Sequence, residues 1–226
     1  MTSNNNFSIK YYDEIIKLAK SKGYKFVTLN EFINLNCPKF NHFILRHDLD
    51  KQPLTLKAQL EVEIQNKVRS TTFARVTANE YNFLSYPVIA LLKFAEKRGF
   101  EIGLHSNFLE YSKINKLNPI ETLQFEFESL KHFFDIRGLA THRDLNYAYN
   151  SLPYVENNWD TIKDLGIAYH AYEEKILSSC IYVNEGFNPH LCWRDKTPEQ
   201  AIGTEKSICL LTHNHWWYTE HPFEHF

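Results

Sequence analysis

The chain lacks any concentration of positive charge. Its 25 lysines and arginines are balanced by 27 aspartates and glutamates, which leaves a net charge of −2 at pH 7. Proteins that bind a phosphate backbone usually gather lysine and arginine on one face or along one helix. No such block occurs here, so the sequence predicts no nucleic-acid partner.

Long apolar runs are absent as well. No stretch approaches the roughly 20 apolar residues that a membrane-spanning helix needs. The first residues, MTSNNNFSIKYYDEI, contain no cationic segment followed by an apolar core, which is the pattern of a secretory signal. We therefore expect a protein without a transmembrane segment that resides in the cytoplasm.

Two chemical signatures are also missing. The four cysteines have no CxxC spacing and are spread too widely for a small disulfide scaffold: Cys37, Cys180, Cys192 and Cys209. No GxSxG motif surrounds Ser106, which argues against a serine esterase. We therefore expect the cysteines to be reduced, and we expect other side chains to carry the chemistry.

What the sequence does contain is an alternation of short β-prone runs and amphipathic segments. An opening helix is predicted over 7–22, and seven candidate strands begin at residue 42, at 71, at 100, at 137, at 167, at 180 and at 207. The helices predicted between these strands include one over 53–69 and one over 155–165. Strand–helix alternation favours a parallel sheet with helices packed on it. We predict one domain over 1–226 with an irregular seven-stranded (β/α) barrel, similar to a TIM barrel, and an N-terminal helix, with a loop at 184–206.

Four of these strands run directly into acid–base or metal-binding side chains. They read HFILRHDLD (42–50), FEIGLHS (100–106), IRGLATHRD (136–144) and SICLLTH (207–213). In parallel barrels the chemistry collects where the carboxyl ends of the strands open into loops. Three histidines and two aspartates at such ends match the nitrogen and oxygen ligands of a zinc-type site with one open position.

These motifs resemble those of the polysaccharide deacetylases, which remove acetyl groups from N-acetylated sugars and adopt a distorted seven-stranded barrel. The resemblance covers roughly residues 10–220. It is closest to a branch associated with surface-polysaccharide biosynthesis, whose first motif is Arg-His-Asp-x-Asp and reads here as 46–50. EIGLHS (101–106) resembles the second motif, and LTH (211–213) resembles the final Leu-x-His.

The resemblance implies a role for each motif residue. Asp48 falls on the catalytic base and Asp50 on a metal ligand, while His105 falls on the first metal histidine. His213 falls on the general acid. Arg143 falls on the arginine that orients the base, although the sequence lacks the proline that usually accompanies it.

The second motif departs from the family pattern, because its second histidine is replaced by Leu109. An open zinc site usually has three protein ligands, so another residue must complete it. His142, at the adjacent strand end, is our prediction. The alternatives are Glu110, His47 and His170.

The predicted function is a metal-dependent hydrolase that deacetylates an N-acetylated sugar, nucleotide sugar or glycan intermediate of surface polysaccharide synthesis. The cofactor is a divalent ion, with zinc favoured. Trp216 is predicted to stack on the sugar, although a core or rim position is equally compatible with its pattern. The alternatives are a glycan-binding barrel with a degenerate metal site, and a glycosidase that uses Asp48 with a glutamate such as Glu185.

Overall fold

The chain folds into an α/β structure around a curled, all-parallel sheet. In this computed structural model, residues 7–142, 150–185, 192–222 and 224 are described. Seven strands follow the order β6-β5-β4-β3-β2-β8-β7, and β1 pairs with the beginning of β2. The strands are β1 Lys25–Val27, β2 His42–Leu49, β3 Thr71–Arg75, β4 Glu101–Ser106, β5 Gly138–Thr141, β6 Tyr169–His170, β7 Cys180–Asn184 and β8 Ser207–His213.

The sheet forms a half-barrel with β6 and β7 at its two edges. No pair among the strands described here joins those edges, so the closed barrel stays a prediction. The α/β class, the parallel sheet and the N-terminal helix are confirmed. No helix in the described part of the chain is both long enough and apolar enough to cross a membrane.

The helices lie between the strands and cover the sheet. They are α1 Ile9–Ser21, α2 Leu29–Asn34, α3 Leu56–Gln65, α4 Tyr86–Glu96, α5 Phe108–Asn115, α6 Pro119–Lys131, α7 Leu152–Asn157, α8 Trp159–Asp164, α9 Glu174–Leu177 and α10 Pro198–Ile202. Side-chain caps fix several starts: Ser8 accepts a hydrogen bond from Tyr11 N, and Thr28 forms a capping box with Glu31. Such caps satisfy amides that lack partners within the helix.

Some predicted boundaries are wrong. The helix expected over 53–69 is a short 3₁₀ turn, Pro53–Thr55, followed by α3, and the helix expected over 155–165 is two short helices that meet at Asn158. The loop expected over 184–206 contains α10, which begins at the capping residue Thr197. Local capping and turn residues set these ends, whereas apolar periodicity does not show them.

Strand alternation places the chemistry on the concave face of the sheet. Along β2, Phe43 and Leu45 pack into the cluster beneath α1, while Ile44 joins an apolar cluster with Phe73 and Cys209. Successive strand residues point to opposite faces. Arg46, Asp48 and the following Asp50 therefore continue the inner row that starts with Ile44.

The inner face has no room for an extra methyl group at Gly138. A Cβ atom there would overlap the phenol ring of Tyr169. We expect Gly138→Ala to lower the free energy of unfolding by roughly 1–3 kcal/mol, the usual cost of overpacking. Urea unfolding followed by circular dichroism measures it.

Gly203→Ala is the matched control, because its nearest atoms would lie at 3.7 Å and its φ is −66°. We expect it to change stability by less than about 0.5 kcal/mol. Equal stability of the two variants would contradict the close packing of Gly138 against Tyr169.

Candidate metal centre

The carboxyl ends of β2, β4 and β5 bring three potential metal ligands together. Asp50, His105 and His142 each offer one atom, and these atoms all lie within 4.8 Å of one another. Asp50 Oδ1 is 3.2 Å from His105 Nε2 and 3.5 Å from His142 Nε2. The predicted ligand set thus forms a group that could hold a metal ion, including the choice of His142 as its third member.

The tautomer of His105 leaves its Nε2 available to a metal. Its Nδ1 lies 3.0 Å from the carbonyl oxygen of Ala140 on β5. A carbonyl oxygen can only accept a hydrogen bond, so Nδ1 carries the proton. Metal-binding histidines are commonly held in this way by a partner on the other ring nitrogen.

Two of the atoms that converge here, Asp50 Oδ1 and His105 Nε2, are both hydrogen-bond acceptors when the His105 ring is neutral. Asp50 Oδ1 is buried, and no described residue donates a hydrogen bond to it with acceptable geometry. Burial alone would raise the pKa of Asp50, but His105, His213 and His142 hold that pKa well below its usual range. A proton or a metal ion between Asp50 Oδ1 and His105 Nε2 would offset the repulsion between these two acceptors.

Asp48 lies beside this group in a bidentate ion pair with Arg46. Arg46 Nε donates to Asp48 Oδ1 at 2.9 Å, and Nη2 donates to Oδ2 at 2.7 Å. Burial would raise the pKa of Asp48, but the charges of Arg46 and His105 lower it below its usual value. Asp48 is consequently ionised at neutral pH and fixed in orientation.

Arg46 is the orienting residue that the sequence reasoning missed. Its guanidinium is fully buried, lies 4.7 Å from the ring centre of Tyr172 and 5.1 Å from that of Phe73, and donates to the Tyr172 hydroxyl. The signal was present, since Arg46 and Asp48 are two apart on a strand and so share a face. Arg143, which was predicted to orient the base, lies outside the described residues.

His213 closes β8 on the other side of Asp50. Its Nε2 is 3.6 Å from Asp50 Oδ2, and its Nδ1 is 2.7 Å from Glu185 Oε2. Burial would lower the pKa of His213, but the hydrogen bond to Glu185 and the nearby carboxylates raise that pKa to about 9. The ring is therefore protonated at neutral pH and able to give up a proton.

Glu185 is a second residue whose role sequence reasoning missed. Its carboxylate accepts hydrogen bonds from the backbone N of His213 and from the indole Nε1 of Trp217 at 2.6 Å, and its side chain is 1% exposed. Both oxygens are thus engaged in holding His213. This arrangement does not suit the glycosidase alternative, in which Glu185 would face a substrate.

The other candidates for the third ligand are placed elsewhere. His47 lies on the opposite face of β2, where its ring nitrogens contact Thr212 and Glu63 at 2.7 Å each. Glu110 and His170 are buried outside the group of three ligands. Leu109 packs in an apolar cluster and offers no ligand atom to the group.

Trp216 ends the 3₁₀ turn Asn214–Trp216 that follows β8. It is half-buried, and its ring centre lies 5.2 Å from that of His215. Part of the ring packs against the cluster beneath α1. The predicted contact with a sugar stays a prediction.

Comparison with known proteins gives no further information on this site. The chain matches no protein-family model, no curated protein and no solved structure.

Metal content tests the centre directly. We expect the wild-type protein to bind one divalent ion, and Asp50→Asn, His105→Gln and His142→Gln each to lose it, because two ligands hold zinc poorly. The measurement is elemental analysis after dialysis against zinc and then against metal-free buffer.

His132→Gln is the matched control, since His132 is exposed at the end of α6. It should bind as much zinc as the wild type. Full occupancy in all three ligand variants would refute the assignment of the centre.

Proposed function

We propose that the protein is a metal-dependent hydrolase that deacetylates an N-acetylated sugar or glycan intermediate. One observation carries this proposal: the candidate ligand atoms of Asp50, His105 and His142 lie together, beside the carboxylate of Asp48 that Arg46 holds and the ring of His213 that Glu185 holds. Amide hydrolysis needs these three elements together, namely an electrophilic centre, a base for water and an acid for the leaving amine.

The three ligands fit a divalent ion by their chemistry. Two imidazoles and one carboxylate suit zinc, and the proton on His105 Nδ1 directs the lone pair of Nε2 toward Asp50. Such an ion polarises an amide carbonyl and makes nearby water more acidic. Zinc is our choice of metal.

Asp48 is the proposed general base. Each of its oxygens accepts one hydrogen bond from Arg46 and keeps a further lone pair, so the carboxylate can take a proton from attacking water. Because Arg46 lies on the same strand, the direction of the carboxylate is fixed before a substrate arrives. In the proposed reaction Arg46 performs the role that the family resemblance implied for Arg143.

His213 is the proposed general acid. Its raised pKa keeps a proton on the ring, and Glu185 holds Nδ1, which leaves Nε2 to donate toward the nitrogen of the departing amine. The products are the free amino sugar and acetate. Proton transfer by a positioned group of this kind contributes roughly 10²–10⁴-fold in rate.

The resemblance to the polysaccharide deacetylases extends the proposal to fold and pathway. We propose that the half-barrel belongs to that family's distorted seven-stranded barrel, and that the substrate is an intermediate of surface-polysaccharide synthesis in the cytoplasm. Trp216 is a proposed stacking surface for the sugar, because it lies three residues beyond His213.

Turnover should separate the base from the metal ligands. We expect Asp48→Asn to retain metal and to lose roughly 100-fold or more in acetate release, since the amide cannot take a proton. Glu185→Gln should also retain metal and lose turnover by weakening the hold on His213. Acetate release is measured on N-acetylglucosamine, its oligomers and a nucleotide-activated form.

His132→Gln again serves as the control and should turn over like the wild type. A protein that binds zinc but releases acetate from none of these substrates would favour the glycan-binding alternative. Activity that persists after zinc is removed by a chelator would contradict the proposed mechanism.

A further inference from the structure

A second buried arginine lies at the end of β3, and two of its three guanidinium nitrogens have no hydrogen-bond partner among the described residues. Arg75 is 1% exposed, and its Nη1 donates to Glu80 Oε2 at 2.9 Å. Its Nε and Nη2 atoms are buried, yet neither has a hydrogen-bond partner in the described part of the chain. Guanidinium donors that are removed from water normally have an acceptor, so we expect an acceptor at the Nε–Nη2 edge of Arg75.

The unused edge is the one that binds carboxylates. Nε and Nη2 of a guanidinium point in parallel and can hold two oxygens of one anion at once. The same protein provides the example, because Arg46 grips Asp48 through these two atoms at 2.9 and 2.7 Å. Arg75 presents an equivalent fork that has no carboxylate in it.

Strand register places this fork beside the candidate metal centre. Arg75 is the direct partner of His105 across β3 and β4. On the other side, Asp50 directly follows the paired residues Leu49 and Ala74. Residues in register on neighbouring strands point to the same face, so Arg75 belongs to the row that contains two of the three proposed ligands.

The Tyr81 hydroxyl connects this row to a cavity, although Arg75, Asp50 and His105 are not among the residues that line that cavity. The Tyr81 hydroxyl accepts a hydrogen bond from Arg75 N and donates one to Leu49 O. Tyr81 also lines a cavity of about 580 Å³ together with Gln52, Asn82 and Ser85. That volume is within the usual range for small-molecule sites.

We propose that Arg75 binds an oxyanion of the substrate, a carboxylate or a phosphate that offers two oxygens to the Nε–Nη2 edge. The claim that this anion belongs to the substrate rests on the proposed function, whereas the anion site itself does not. The substrate is then an anionic N-acetylated sugar, either a sugar phosphate or an N-acetylated uronic acid. A neutral sugar would leave the buried fork empty.

Calorimetry with three probes tests the site: N-acetylglucosamine 1-phosphate, N-acetylglucosaminuronic acid and neutral N-acetylglucosamine. We expect the wild type to bind one of the two anions at least about tenfold more tightly than the neutral sugar, as two charge-assisted hydrogen bonds imply. The anion that binds identifies the source of the oxyanion. Equal binding of all three, or binding of none, overturns the proposal.

Arg75→Lys keeps the charge but removes the fork, and it should abolish the preference for the anion. Arg98→Lys is the control, because Arg98 is exposed at the end of α4 and should leave that preference intact. All titrations are repeated after removal of metal with a chelator. Anion binding that disappears with the metal but survives in Arg75→Lys would place the anion on the metal and overturn the proposal.

Glu80→Gln is expected to raise the affinity for the anion, whereas Arg75→Lys is expected to lower it. The Glu80 substitution also leaves the core unchanged. Glu80 is exposed, and its negative charge lies beside the fork and repels a second anion. We expect its removal to tighten anion binding about twofold to tenfold. Unchanged or weaker binding would count against the site even if Arg75→Lys failed to fold.

Failure of this inference is distinguishable from failure of the proposed function. Metal content and acetate release are read on the same samples. Acetate release from the neutral sugar with no anion preference would keep the deacetylase and remove the anion site. Anion preference without acetate release would keep the site and remove the deacetylase.

Discussion

The structure depends on the repulsion between two hydrogen-bond acceptors at the carboxyl ends of β2 and β4. A buried carboxylate oxygen of Asp50 faces ring nitrogens of two histidines at 3.2 and 3.5 Å, and a neutral His105 ring, protonated at Nδ1, directs a lone pair at that oxygen. Positive charge between Asp50 and His105 offsets this repulsion. The Ala140 carbonyl, which fixes the His105 tautomer, and the strand ends that converge on Asp50 serve the same arrangement.

The concave face supports this point in layers. Apolar residues such as Ile44 and Phe73 form its floor, and Arg46 lies above them between aromatic rings. Asp48 follows Arg46 on this face, and the candidate ligands Asp50, His105 and His142 lie beside Asp48. A buried ion pair such as Arg46–Asp48 is weak evidence for stability, because desolvation offsets much of the attraction. What the pair does is fix the orientation of the Asp48 carboxylate, and the packed apolar side chains below Arg46 maintain that orientation.

The sequence predicted the strands and the candidate metal ligands for related reasons. Short apolar runs identify buried parallel strands, and such strands bring their carboxyl ends to one edge, so Asp50, His105 and His142 could be grouped. The partners of these residues were harder to predict. Glu185 reaches His213 across 28 residues of chain, and no local pattern encodes that pairing. Arg46 was recognisable only by its spacing from Asp48, and helix breaks such as the one at Asn158 follow from turn geometry that periodicity does not record.

The position of β8 in the sheet has a consequence for how the protein folds. This strand comes late in the chain, yet it lies between β2 and β7 and pairs with β2 from Phe43–Ile208 to Asp48–His213. The contact between His47 and Thr212 spans 165 residues of sequence. Pairings of such long range are slow to form, because the chain loses the entropy of loop closure before the stabilising contacts between the strands exist. During synthesis β2 therefore emerges with the edge that pairs with β8 still unpaired, and that edge stays unpaired until Ser207–His213 has been made.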